Sequence, residues 1–144
     1  LTYADSVFVV SLYRTSEGTS DRARREIRHT PLPVVLSPLS LLEIRNAFNM
    51  AIHRGEIDGE QRDAVLADIE RHTVAGFFQM AQVSQTDIYA KAAELSNRHT
   101  PEFLTRSLDL MHVATALLVE ADVFLSTDTR QRKAALAEGL EVKP

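Results

Sequence analysis

Short apolar runs alternate along the chain with longer stretches in which apolar residues recur at helical spacing. Leu1 to Ala4 reads as a strand, and its abrupt start suggests a preceding residue such as an initiator Met. Val7 to Tyr13 could be strand or helix by pattern, but Asp5 or Ser6 is a good N-cap and favours a helix. Thr15 to Ser20 reads as a loop around Gly18, followed by a helix over Asp21 to His29 that Pro31 and Pro33 close off. Val34 to Leu36 is a buried-type strand. Ser37 or Ser40 can cap a helix starting near Pro38 or Leu39 and running to about Arg54. Leu41, Ile44, Phe48 and Ala51 form its expected core face, and Glu43 lies in line with Leu39, Ala47 and Met50.

Gly55 to Gly59 separates this helix from another over Glu60 to Thr73, with Val65, Leu66 and Ile69 inward. A strand is expected within Phe77 to Val83 and a helix over Asp87 to His99, ended by Pro101. Leu108 to Ala121 is apolar on almost every face and so belongs inside the protein. Asp122 to Ser126 is β-rich, Thr129 to Glu138 is a helix with Gly139 at its C-terminal cap, and Leu140 to Val142 is a last strand. Strands alternating with helices predict an α/β fold, a mostly parallel central sheet flanked by helices in three layers, as a single domain over 1–144.

With 144 residues, 44 % of them apolar and 25 % charged, the chain can bury a core. No apolar run approaches the roughly 20 residues of a membrane span, and no signal segment is visible, so a cytoplasmic protein is expected. The absence of cysteine excludes disulfides and thiolate metal sites. A net charge of −4 does not favour polyanions overall, yet Arg22, Arg24, Arg25 and Arg28 form a dense basic patch. Such a patch serves either as a solvated helix face or as a phosphate contact.

Chemistry concentrates in four acids. Asp109 opens the most apolar helix, where an unpaired charge costs several times what the helix dipole returns. Asp5 and Asp128 each follow an apolar run at the carboxyl end of an expected strand, where open α/β sheets bind ligands. Glu43 is an acid among apolar neighbours. Each has a plain structural role open to it: a cap for Asp5 or Asp128, an ion pair with Arg45 or Arg14 for Glu43. Four converging carboxylates would repel one another unless a hard divalent cation such as Mg²⁺ joined them, and a phosphodiester is the natural substrate of such a centre. His112, one turn beyond Asp109, reads as a hydrogen-bonded core histidine.

Tyr3-Ala4-Asp5-Ser6, Ser37-Pro38-Leu39-Ser40-Leu41-Leu42-Glu43, Asp109-Leu110-Met111-His112-Val113-Ala114-Thr115-Ala116-Leu117 and Ser126-Thr127-Asp128-Thr129-Arg130 stand in an order and spacing that resembles a PIN domain. Within that family the chain looks most like a VapC-type ribonuclease toxin. The resemblance implies a PIN-like fold and metal-dependent endonucleolytic cleavage of RNA, with Asp5, Glu43, Asp109 and Asp128 as the acidic quartet around Mg²⁺ or Mn²⁺. Ser6 and Ser126 would hydrogen-bond those acids, and Arg22, Arg24, Arg25, Arg28 and Arg130 would contact RNA. Val7 departs from the Ser or Asn of many relatives. The resemblance also implies a homodimer held inactive by a cognate antitoxin, with Leu12, Phe48, Met50 and Ile52 as candidate apolar contact residues.

Other phosphoryl chemistries fit less well. A haloacid-dehalogenase phosphatase would need its general acid at Val7, and a receiver domain would need an early acidic pair and a late lysine. No glycine-rich phosphate loop is present. From a different class, a PIN-like module that binds RNA or protein without cutting is the alternative.

Overall fold

The computed structural model describes residues 1–14 and 18–144; the part of the expected loop at 15–17 lies outside the described residues. Its elements are β1 (Thr2–Ala4), α1 (Ser6–Tyr13), α2 (Thr19–His29), β2 (Val34–Leu36), α3 (Pro38–His53), α4 (Gly59–Val74), β3 (Phe78–Met80), α5 (Gln85–Phe103), α6 (Ser107–Leu118), β4 (Val123–Leu125), α7 (Thr129–Ala137) and β5 (Glu141–Lys143). The strands form one parallel sheet in the order β3-β2-β1-β4-β5. The strand order reverses at β1, because β2 lies on one side of it and β4 on the other, which opens a crevice beyond their carboxyl ends.

Alternation along these short strands builds two cores. Tyr3, Val35 and Phe124 face one side and pack with Ile88, Leu95, Leu110 and Val113 of α5 and α6 and with Ala134 of α7. Ala4, Val34, Leu36 and Leu125 face the other side and meet Phe8 and Val9 of α1, Ile44 and Phe48 of α3 and Ile69 of α4. With strands buried on both faces, a continuous apolar run is what each must supply. The three-layer α/β expectation therefore holds. From Asp109 through Ala116 every residue of α6 is buried, as its all-round apolar pattern predicts.

Several expected boundaries move. Pro101 does not end α5, which continues to Phe103. The proline lies in the last turn and, lacking an N–H, leaves one i→i−4 hydrogen bond of the helix unmade. That turn is held by His99, whose ring stacks on Phe103 at 5.7 Å and whose Nε2 meets Glu138 at 2.5 Å. Leu104, at φ 54°, closes the end by donating its N–H to the Thr100 carbonyl. In the other direction α6 stops at Leu118 and not Ala121. Glu120 takes a left-handed conformation, and the N–H groups of Glu120 and Ala121 return to the carbonyls of Leu117 and Ala116. Leu41 is exposed, its place on the core face of α3 taken by Ser40. Ser40 completes a reciprocal cap with Ser37, each side-chain oxygen accepting from the other's backbone N–H.

Candidate functional site

Asp5 sits where β1 turns into α1. Its Oδ1 caps the helix by accepting from Phe8 N at 2.7 Å, and its Oδ2 accepts from the Ser126 hydroxyl at 2.5 Å. The residue is completely buried. Burial pushes its carboxyl up to about 6, against the hydrogen bonds from Ser126 and Phe8 and the charge of His112, with the nearby Asp128 adding to the rise.

Asp128 occupies the equivalent junction after β4. Its Oδ1 caps α7 through the N–H groups of Arg130 at 2.9 Å and Gln131 at 3.2 Å, and its own N–H donates to Ser126 Oγ at 3.0 Å. Ser126 is thus the bridge between the two strand-end aspartates. Both acids are N-caps, so the plain structural role and membership of an acidic cluster are compatible here.

Asp109 stands in the first turn of α6, nearly buried. Its Oδ2 accepts from Arg106 N at 2.9 Å and Nε at 3.0 Å; its Oδ1 accepts from Arg106 Nη2 at 3.2 Å and Gln131 Nε2 at 3.2 Å. Burial pushes this carboxyl up, but the Arg106 hydrogen bonds and charge, with Gln131, outweigh it and hold the group below the usual carboxylate range. Arg106 Nη2 also reaches Asp128 Oδ2 at 3.3 Å.

Glu43, one turn into α3, accepts from the Ser6 hydroxyl at 3.3 Å and bonds His112 Nε2. Among the described residues no arginine forms an ion pair with it: Arg14 pairs with Glu56. His112 is fully buried, and its Nδ1 lies 2.7 Å from the Tyr3 hydroxyl, which also donates to Ser37 Oγ at 3.1 Å. The expected core histidine is therefore also the group that aims Glu43.

The four acids come from four separate junctions and are tied by one set of contacts: Asp5 through Ser126 to Asp128, Asp128 through Arg106 to Asp109, and Glu43 to the hydroxyl of Ser6 beside Asp5. Both predicted serines take part. Among the described residues, no three acids or histidines already stand as a metal shell. Many of the carboxylate oxygens are instead taken up by Arg106, Ser126, His112 and backbone N–H groups.

Four participants were not among the expected site residues, His112 being one because it reads from the sequence only as a core histidine. Arg106 has a sequence signal, being the cation one helical turn before Asp109. Tyr3 and Gln131 have weak ones, because a buried tyrosine next to a strand-end acid and a glutamine in a basic helix are common for other reasons. The Oε1 of Gln131 is buried with no hydrogen-bond partner.

The basic patch lies elsewhere. Arg24 donates to the Arg14 carbonyl and pairs with Asp21, and Arg24 and Arg28 line a cavity of about 450 Å³ with Tyr13, His72 and Phe77, beside the start of β3. Arg22 and Arg25 are exposed. Arg130 is close to the acids through its backbone N–H. Of the apolar contact candidates, Phe48 is corrected: it is 2 % exposed and belongs to the core, because its side of α3 faces the sheet. Met50 is exposed, and Leu12 and Ile52 are half-buried. Among the described residues, no helix is long and apolar enough to cross a membrane.

The PIN domain family model matches residues 2–136 of the chain. No curated protein matches by sequence. Among solved structures, VapC20 of Mycobacterium tuberculosis, described as a Sarcin-Ricin loop cleaving toxin, superposes with a TM-score of 0.72 at 20% identity, covering 100% of each chain. FitAcB from Neisseria gonorrhoeae gives 0.70 at 18%, covering 100% of this chain and 97% of that one. A toxin-antitoxin complex from Klebsiella pneumoniae gives 0.61 at 18%, covering 91% and 89%.

Proposed function

We propose, from the premise that this chain belongs to the PIN domain family, as the match over residues 2–136 shows, that it is a metal-dependent endoribonuclease and the toxin of a toxin-antitoxin pair. The observation that carries the reading is the gathering of Asp5, Glu43, Asp109 and Asp128 from four elements at the carboxyl ends of β1 and β4. A structural explanation of each acid alone would not require them to share partners.

The donor set fits a hard divalent ion. All four groups offer carboxylate oxygens, burial and the Asp128 charge disfavour ionised Asp5, and a guanidinium already bridges Asp109 and Asp128. One guanidinium against four carboxylates leaves the cleft short of positive charge. Asp5 and Asp109 are the direct ligands in this reading, with Glu43 and Asp128 holding ion-bound water or a second ion. Bound Mg²⁺ or Mn²⁺ supplies an activated water near neutral pH and stabilises charge on the phosphate oxygens.

The chain's own residues do the rest. Ser126 fixes Asp5 and Asp128 relative to one another, Ser6 and His112 aim Glu43, and Tyr3 orients the imidazole from behind. Arg130, whose backbone N–H donates to Asp128, contacts RNA in this reading, while Arg22, Arg24, Arg25 and Arg28 supply a basic approach for the RNA backbone farther off. Replacing Asp5 or Asp109 by Asn should abolish cleavage of structured RNA with the circular dichroism unchanged; full activity in either variant refutes the assignment.

The toxin role and an antitoxin partner are supported by the structural neighbours, a Sarcin-Ricin loop cleaving toxin and a toxin-antitoxin complex. A homodimer is part of the same reading, and a monomer by light scattering would count against that part alone. One observation favours the silent binding module: Arg106 already neutralises two of the acids. Mn²⁺ separates the two readings, since an active centre gains thermal stability on adding the ion and a silent module does not.

A further inference from the structure

Arg106 is unlike the other members of the cluster. Its side chain is 61% exposed, while those of the carboxylates it holds are 4% and 21% exposed. It approaches from the solvent side, with Nε and Nη2 on Asp109 and Nη2 also on Asp128. Its guanidinium also feels the charge of Glu43, so its positive charge is shared with three of the four acids. Two of its contacts use Oδ2 of Asp109 and Oδ2 of Asp128, oxygens a divalent ion would need, and the backbone N–H of Arg106 and the Gln131 amide would remain on Asp109 if the side chain left.

We infer that Arg106 is an exchangeable counter-ion, which holds the acids together in the ion-free protein and is displaced from Asp109 and Asp128 when a divalent cation binds. The inference rests on the proposed metal site and adds a residue to it. The planar guanidinium fork suits this exchange, because it neutralises the buried Asp109 and the half-buried Asp128 at once while its exposed side chain can swing into water without opening the core. The backbone cap on Asp109 and the Gln131 amide keep that carboxylate in place as the side chain leaves.

The sign of the effect distinguishes exchange from support. A residue that merely built the site would weaken ion binding when removed, whereas a competitor strengthens it. In calorimetric titration of the RNA-free protein with Mn²⁺, Arg106→Gln should bind roughly fivefold tighter than wild type, the scale of one solvent-exposed ion pair. Arg106→Lys keeps the charge but cannot fork; it should also bind tighter than wild type, which a purely long-range field effect would not produce. The Nε–H resonance of Arg106, identified by its loss in Arg106→Lys, should move to the position of a free arginine on saturation with Mg²⁺. Unchanged or weaker Mn²⁺ binding in Arg106→Gln, or an unmoved resonance at saturation, overturns the inference. If neither wild type nor Arg106→Gln binds Mn²⁺, the metal site fails with it; Mn²⁺ binding by wild type that Arg106→Gln leaves unaltered removes the exchange alone.

Discussion

Replacing Asp5 by Asn should stabilise the ion-free protein, and the gain should depend on pH in a defined way. Asp5 is fully buried with its carboxyl raised from 3.8 to about 6. Well below its ordinary value of 3.8 it is protonated whether folded or unfolded and costs nothing. Between pH 4 and 6 the unfolded chain ionises it while the folded protein does not, so stability falls as pH rises. Above pH 6 the penalty is complete, and a shift of about two units corresponds to roughly 3 kcal/mol. Asparagine keeps the oxygen that accepts from Phe8 N, and its amide can donate to Ser126 Oγ, so both local contacts survive. The variant should therefore melt within about 2 °C of wild type near pH 4 and roughly 6–12 °C higher at pH 8, by the usual 2–4 °C per kcal/mol for a chain of this size. Asp109 works in the opposite sense: its lowered value contributes stability above the ordinary carboxylate range that is lost as pH falls through it, below the window used. Differential scanning calorimetry at pH 4, 5, 6 and 8 in EDTA measures the gap. A gap that does not change with pH, or a variant less stable at pH 8, would refute burial as the cause.

Other outcomes follow from the same geometry. His112→Ala leaves the buried Tyr3 hydroxyl and the partly exposed Glu43 each short of a partner and should cost about 2–4 kcal/mol in urea unfolding, a large-to-small loss combined with an unpaired buried polar group. Ser126→Ala removes the link between Asp5 and Asp128 and should lower kcat for RNA cleavage about tenfold or more with the fold retained, as loss of a hydrogen bond orienting a ligating carboxylate does elsewhere. Reversing the exposed Arg22 and Arg25 to Glu should weaken RNA binding and flatten its dependence on salt; an unchanged slope would make the patch a solvated face.

The fold was legible in the sequence where one pattern could be read one way. Val34-Val35-Leu36 and Val123-Phe124-Leu125 are apolar at every position because both faces of the sheet are covered. The two unclear boundaries, at Pro101 and beyond Leu118, depend on contacts between distant residues, His99 with Glu138 in one case and a left-handed Glu120 in the other. The four acids could be picked out one by one, since each interrupts an apolar context. What joins them could not: Arg106 stands one helical turn before Asp109, but nothing in the sequence says that it also reaches Asp128, and His112 carried no sign that its second nitrogen meets Glu43, 69 residues away. Phe48 shows the converse: its helical spacing with Ile44 and Ala51 already set it on the core face, which leaves it no part in an outer contact surface.

The most direct test of the proposed nuclease is incubation of purified protein, free of any partner, with a structured RNA mixture in Mg²⁺ or Mn²⁺, beside EDTA and an Asp109→Asn control. The predicted result is discrete cleavage that requires the ion and disappears in the variant. Cleavage that persists in EDTA, or at full rate in Asp109→Asn, would contradict it.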